Sequence, residues 1–114
     1  MKFIQPNQNI CCDDVIQCIF NLNTLDTNIY KKLEEKGEAR TDELAKTLNK
    51  ERSTIYRSLQ KLTCSGLCIK KTNTIDKGGY YHTYICRESK ETKKNIESHI
   101  DKWYKKMKNT IKEL

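Results

Sequence analysis

The sequence predicts a single mainly α domain of the α+β class, and three observations lead to this prediction. The chain has 114 residues, which is the length of one ordinary domain. Apolar residues recur with a helical period up to about residue 65 and again from about residue 89. Between these stretches the pattern changes to two short strand-like runs joined by a polar turn. This order predicts several short helices, a β-hairpin and one long C-terminal helix.

The first two helices are predicted from the spacing of apolar residues. One helix is expected over residues 10–22. Its apolar face consists of Cys12, Val15, Ile16, Ile19 and Leu22. A second helix is expected to be capped by Thr24 or Asp26 and to run to Lys36, because Gly37 favours a helix end.

Two further helices are predicted on either side of a tight turn. Thr41 is the expected N-cap of a short helix over residues 42–48, whose first turn is acidic and so complements the helix dipole. Residues 49–51 form the turn. The next helix covers residues 52–65 and ends at Gly66. Its buried stripe consists of Ile55, Leu59 and Leu62.

A β-hairpin is predicted after these helices. Residues 67–72 and 80–86 are rich in β-branched and aromatic side chains, which strands favour. The intervening residues 73–79 are rich in Asn, Asp and Gly, which is typical of a turn. His82 lies alone in the second strand, so we expect a structural role for it.

A long amphipathic helix is predicted from Ser89 to the end of the chain. Its apolar positions alternate in spacings of four and three, which is a heptad seam. The seam positions are Ile96, Ile100, Trp103, Met107, Thr110 and Leu114. We therefore expect residues 88–114 to form a dimerisation helix; the alternative is a helix that packs on its own domain. The expected dimer interface comprises Ile96, Ile100, Trp103, Met107, Ile111 and Leu114.

Helix, short helix, tight turn, helix and hairpin is the order of elements in a winged helix-turn-helix. We expect residues 1–9 to be a flexible lead and residues 10–87 to be the DNA-binding domain. The helix over residues 52–65 would enter the major groove, which is about 12 Å wide and admits one helix. Residues 70–80, called the wing below, would lie against the DNA backbone.

The charge distribution favours a polyanionic partner. The net charge is +7, and residues 50–79 contribute about +5 of it, whereas residues 1–49 sum to about −2. A basic cluster in a small domain is typical of nucleic-acid binding. The alternative is an ordinary solvated surface rich in lysine, and the lysines of the wing would then protect an edge strand from aggregation.

The outward face of the helix over residues 52–65 lies opposite its apolar stripe, at about 100° of rotation per residue. It consists of Ser53, Thr54, Tyr56, Arg57, Gln60 and Lys61. No acid occurs on this face, whereas ordinary solvated helix faces usually carry some. Arginine can bind guanine with two hydrogen bonds and glutamine can pair with adenine, while hydroxyl and ammonium groups hold phosphates.

These residue types lead to two sets of expected DNA contacts. Base reading is expected from Ser53, Thr54, Tyr56, Arg57 and Gln60. Contacts with the DNA backbone are expected from Lys50, Arg52, Lys61, Lys70, Lys71 and Lys77.

Composition and motifs argue against other classes of protein. The hydrophobic share is 36% and the mean hydropathy is −0.84, which is lean for an independent globule. We find neither a signal peptide nor a run of about 20 apolar residues, so we expect a cytoplasmic protein without a membrane partner. With two histidines and no nucleophile elbow or phosphate-binding loop, we expect no enzyme and no cofactor. The alternative function is a winged-helix adaptor that binds other proteins in a transcription or other assembly.

The six cysteines are expected to be reduced, because no export signal is present. They are Cys11, Cys12, Cys18, Cys64, Cys68 and Cys86. Four of them fall among apolar residues, where a free cysteine behaves as a small hydrophobe. These four are Cys12, Cys18, Cys68 and Cys86. We expect no metal; the alternative is a thiol or metal sensor on the N-terminal cysteines or on Cys64 and Cys68.

The stretch Leu25 to Leu67 resembles the DNA-binding domain of archaeal TrmB-type transcriptional regulators, which are related in fold to MarR. The resemblance is carried by Glu43-Leu44-Ala45, by the run Arg52-Ser53-Thr54-Ile55-Tyr56-Arg57-Ser58-Leu59-Gln60-Lys61-Leu62, and by Gly66-Leu67. Gly78-Gly79-Tyr80-Tyr81 and the helix around Trp103 resemble small archaeal members, so that the likeness covers roughly residues 13–112.

This resemblance implies a homodimeric, sequence-specific DNA-binding regulator in which Ser53, Thr54, Tyr56 and Arg57 contact DNA. Full-length TrmB proteins carry a large C-terminal sugar-sensing domain. This chain is expected to be a small form that lacks it, so sugar sensing does not carry over and no effector ligand is named.

Overall fold

The computed structural model describes residue 9 and residues 11–114, without the side chain of Asp13. Within these residues the chain forms five helices and one three-stranded antiparallel sheet. The helices are α1 (Cys12–Phe20), α2 (Thr24–Lys36), α3 (Thr41–Leu48), α4 (Arg52–Cys64) and α5 (Ser89–Ile111). The strands are β1 (Glu38–Ala39), β2 (Cys68–Thr74) and β3 (Tyr80–Cys86). The predicted winged-helix class is confirmed; the predicted flexible lead lies, apart from residue 9, outside the described residues.

The sheet has the order β1-β3-β2. Strands β2 and β3 form the predicted hairpin, with Cys68 opposite Cys86 at its base and Thr74 opposite Tyr80 near its tip. The turn after β2 contains two consecutive glycines with φ of +96° and +91°, a conformation that glycine adopts at little cost. Strand β1 was not predicted; its two residues pair with the far end of β3.

Two predicted helix caps are wrong. Helix α2 is capped by Asn23, whose side chain accepts a hydrogen bond from the Asp26 backbone N–H, at 2.8 Å. The Asp26 carboxylate in turn accepts a hydrogen bond from the Asn23 N–H, at 3.0 Å, so Asp26 is the third residue of a capping box. Thr41 is the first residue of α3 and is buried, and the N-cap position belongs to Arg40.

The core lies between α2, α4 and the sheet. The predicted stripe of α4 is completely buried, and it packs with side chains from each neighbouring element. These include Ile29, Leu33, Leu44, Leu67 and Tyr84. Complete burial of a leucine or isoleucine side chain stabilises the folded state by about 1.5–3 kcal/mol. Burial of this stripe leaves the opposite side of α4 facing outward.

Helix α5 divides into two parts. Its first turns pack on the domain, where Thr92 is buried and Ile96 packs against the core. The Phe20 ring of α1 contacts the His99 ring edge-on, with the ring centroids 4.9 Å apart. Ile96, which was predicted to lie in a dimer interface, is partly buried and packs against the core of its own chain.

Beyond Ile96 the predicted heptad positions are exposed. The exposed large apolar side chains of this second part are Ile100, Trp103, Tyr104, Met107, Ile111 and Leu114. Among the described residues, no helix combines the length and the apolar character needed to cross a membrane.

Candidate nucleic-acid interface

The outward face of α4 is placed by the turn that precedes it. Asn49 adopts a left-handed conformation (φ 53°), which asparagine tolerates better than most residues. This conformation ends α3 and allows α4 to begin at Arg52. Since the apolar stripe of α4 is anchored in the core, its other side is turned to solvent and contains no acidic residue.

Three of the five predicted base-reading residues are exposed on the outward face of α4. Ser53, Tyr56 and Arg57 are exposed, and Thr54 is half-buried. Within the described part of the chain, no carboxylate lies within ion-pair distance of the Arg57 guanidinium. Its hydrogen-bond donors are therefore available to a ligand.

Gln60 and Tyr56 form a pair on the same side of α4. The Gln60 side-chain amide donates a hydrogen bond to the Tyr56 hydroxyl oxygen, at 2.6 Å. The phenolic proton of Tyr56 consequently remains free to donate to another acceptor. Sequence analysis placed both residues on this face but did not foresee that they bind each other.

Lys61, a predicted contact with the DNA backbone, has a carboxylate partner within its own chain. Its ammonium group donates to the Asp26 carboxylate, with Nζ and Oδ2 2.5 Å apart. The Asp26 side chain is almost fully buried, whereas that of Lys61 is 44% exposed. A buried carboxylate requires a partner, so Lys61 is held against α2 and links α4 to α2.

The same ion pair sets the ionisation of Asp26. Burial alone would raise the pKa of this carboxyl group. The hydrogen bonds from Lys61 and from the Asn23 backbone outweigh burial, and the pKa lies below its ordinary value. Asp26 is therefore a carboxylate at neutral pH.

Apart from Lys61, the cations predicted to contact the DNA backbone fall into two groups. Arg52 and Lys71 already have carboxylate partners, since Arg52 Nε lies 2.6 Å from Asp42 and Lys71 Nζ lies 3.0 Å from Glu38. The others are exposed and, among the described residues, lie beyond ion-pair distance of any carboxylate. These are Lys50, Lys70 and Lys77.

A cleft between α4 and strand β3 contains several residues that were not predicted to contact DNA. It has a volume of about 230 Å³ and is bounded by the first turns of α3 and α4 and by β3. Its lining includes Arg40, Arg52, Tyr56, Tyr80, Tyr81 and His82, with the buried Tyr84 beneath them. The signal that could have found it was Arg40, a cation immediately before α3.

Of the four cysteines predicted to lie among apolar residues, Cys68 is buried and Cys18 and Cys86 are half-buried. Cys68 is buried and lies directly opposite Cys86 across the hairpin. The contact with Cys86 and burial both raise the pKa of the Cys68 thiol. Cys12 is exposed, so its predicted place on an apolar face is wrong. The described side chains contain no group of three or more His, Cys, Asp or Glu positioned to hold a metal ion.

Comparison with known proteins identifies the family. The family model described as "Sugar-specific transcriptional regulator TrmB" matches residues 16–90. An uncharacterised protein of Methanocaldococcus jannaschii, MJ1503, is 32% identical over 102 residues, which is 90% of this chain and 77% of that protein.

Two solved structures of regulators are similar in fold. A possible transcriptional regulator from Methanosarcina mazei Go1 superposes with a TM-score of 0.80 at 26% identity, over 97% of this chain and 94% of that chain. A MarR family transcriptional regulator from Silicibacter pomeroyi gives a TM-score of 0.54 at 19% identity, over 85% of this chain and 70% of that chain. Since the matched family region contains α2, α3, α4 and the whole hairpin, the chain belongs to the TrmB family of transcriptional regulators.

Proposed function

We propose that this protein is a transcriptional regulator that binds specific double-stranded DNA sequences as a homodimer. The observation that carries the proposal is the outward face of α4, which is free of acids and lies beside a basic wing. A helix of this kind fits the major groove, and the flanking hairpin would then lie against the DNA backbone. Membership of a family of transcriptional regulators supports the same function.

In this proposal the residues divide by the part of DNA that they contact. Arg57 is the principal base-reading residue, because its guanidinium is exposed and unpaired among the described residues. Gln60 and Tyr56 act as a hydrogen-bonded unit beside it. Backbone contacts come from the exposed cations of the turn before α4 and of the wing. These are Lys50, Lys70 and Lys77, with Arg52 and Lys71 shared with their acidic partners.

The dimer is supported by the exposed second part of α5. Trp103 and Met107 are 46% and 45% exposed, and Ile111 is 66% exposed. Trp103 and Met107 lie at the predicted heptad positions, a pattern typical of a helix that packs on a second helix, and Ile111 lies one turn beyond Met107. Two copies related by a two-fold axis would bury the same face from both chains. A symmetric dimer would present two α4 helices to successive major grooves, about 34–36 Å apart.

The test is a titration of random duplex DNA with the purified protein at several salt concentrations, together with its mass in solution. We expect a dimer mass and a log–log slope of about −0.9 for each phosphate contact, amounting to several units. Selection of binding sites from a random pool should then yield a pseudo-palindrome. A protein that binds no duplex at low salt would contradict the proposal.

A further inference from the structure

The cleft between α4 and strand β3 contains an arginine, Arg40, that has no acidic partner among the described residues. The Arg40 guanidinium carbon lies 4.4 Å above the centre of the Tyr81 ring, a favourable cation–π arrangement. Among the described residues, no carboxylate lies within ion-pair distance of Arg40. Stacking on Tyr81 thus holds the Arg40 guanidinium in place, and its positive charge has no counter-ion among the described residues.

Other hydrogen-bond donors converge on the same cleft. The Arg52 guanidinium uses Nε for Asp42, and a guanidinium has five N–H donors in all, so the remaining ones are available. The Tyr56 hydroxyl accepts a hydrogen bond from Gln60 and keeps its own proton for a further acceptor. With two arginines and one carboxylate in its lining, the cleft carries net positive charge.

The position of the cleft indicates which anion it receives. It opens between the first turns of α3 and α4 and strand β3, whose first residue, Tyr80, also belongs to the wing; α4 and the wing are the elements proposed to contact DNA. When a helix lies in the major groove and a hairpin lies on the neighbouring backbone, the DNA strand that borders the groove passes between them. Phosphate oxygens accept hydrogen bonds from arginine and tyrosine, and arginine matches their geometry well.

We propose that this cleft binds one phosphate of the DNA backbone, with Arg40 as its principal contact and Arg52 and Tyr56 as supporting donors. This inference rests on the proposed function and adds a contact to it. The contact is independent of base sequence and fixes the position of α4 in the groove. Arg40 therefore contributes to the affinity for any duplex DNA, whereas Arg57 contributes to the preference for particular base sequences.

The experiment compares the wild type with Arg40→Gln, and with Arg87→Gln as a matched control. Arg87 is an exposed arginine paired with Glu91 near the start of α5, away from the cleft lining. The salt dependence of binding to random duplex DNA is measured for each. Arg40→Gln should weaken binding about tenfold on every duplex, and it should reduce the salt slope by about 0.9 for each cleft engaged. Arg87→Gln should match the wild type.

A second variant separates charge from folding. Arg40→Lys retains the charge, so it should keep the wild-type salt slope. The Arg40 side chain makes no capping hydrogen bond to α3, and we therefore expect the circular-dichroism melting curves of both variants to match that of the wild type.

The outcomes that would overturn the inference differ from those that would overturn the proposed function. If Arg40→Gln binds duplex DNA with wild-type affinity and slope, the cleft assignment is wrong and DNA binding stands. If the wild type binds no DNA, yet binds inorganic phosphate in an Arg40-dependent manner by calorimetry, the cleft serves a free anion. That second result overturns both the DNA-phosphate assignment and the proposed function.

Discussion

Arg57 and Lys61 lie one helical turn apart on α4 but are used in opposite ways. The Arg57 side chain is exposed, whereas Lys61 is bound to the buried Asp26. Both were predicted to lie on the outward face, because the helical period gives the side of the helix on which a residue lies but not the residues of other elements that it contacts. The partner of Lys61 lies 35 residues earlier in the chain, so the two side chains meet only once the chain has folded.

Substitution of Arg57 by alanine should relax sequence specificity. We expect a loss of about 1–3 kcal/mol on a selected binding site, because a bidentate contact to a base is removed. The loss on unrelated duplexes should be much smaller. Competition binding with selected and scrambled duplexes measures the difference, and Arg87→Ala serves as the control. An equal loss on all sequences would show that Arg57 does not read bases.

Asp26 makes the stability of the fold depend on pH in the acid range. Its pKa is lower in the folded chain than its ordinary value of 3.8, so the carboxylate stabilises the folded state above about pH 4. This stabilisation is lost as the pH falls through the lowered pKa. Asp26→Asn should therefore be less stable than the wild type near pH 7, and the gap should narrow towards pH 2.

Urea unfolding of both proteins between pH 2 and pH 7 measures that gap. A control variant, Asp42→Asn, removes an exposed carboxylate whose ion pair with Arg52 is open to solvent. Surface pairs of this kind contribute about 0–1 kcal/mol. A gap between Asp26→Asn and the wild type that stays constant with pH would mean that Asp26 is not a paired carboxylate in the folded chain.

At the scale of the elements, periodicity predicted most of the secondary structure. The stripe of α4 follows from one local period, and β3, which was predicted from its β-branched and aromatic side chains, has the predicted bounds. Strand β1 has two residues and no period of its own, and it exists because it pairs with residues 84 and 85. The Arg40 stack on Tyr81 could not be predicted for the same reason, since the contact depends on the folded sheet.

The exposed part of α5 should be required for the dimer. We expect Trp103→Asp to yield a monomer by light scattering, because a charge would replace an apolar residue at the centre of the seam. Its affinity for DNA and its salt slope should both fall, as one α4 is lost from each complex. Tyr104→Asp is a matched control, because Tyr104 is 56% exposed on the same turn but lies outside the heptad positions. If Trp103→Asp remains dimeric, the interface lies elsewhere.

At the scale of the whole molecule, a symmetric dimer constrains the spacing of its DNA half-sites. Insertion of about 5 base pairs between the half-sites of a selected site turns one of them to the opposite side of the duplex, because B-DNA repeats every 10–10.5 base pairs. Binding should then fall to the level of a single half-site. Insertion of about 10 base pairs keeps the half-sites on one side and tests whether the distance itself can vary. Gel-shift titrations of the three duplexes check this expectation.

Substitutions on the two sides of α4 differ in their effect on the stability of the fold. Ile55 and Leu59 are completely buried, so their replacement costs stability. Ser53 and Arg57 are exposed, and replacement of such surface residues usually changes stability by less than about 0.5 kcal/mol. Under the proposed function, substitution at these two positions would change the preferred DNA sequence with little change in the stability of the fold. Replacement of Lys61 would instead cost stability, because Lys61 is the ion-pair partner of the buried Asp26 carboxylate.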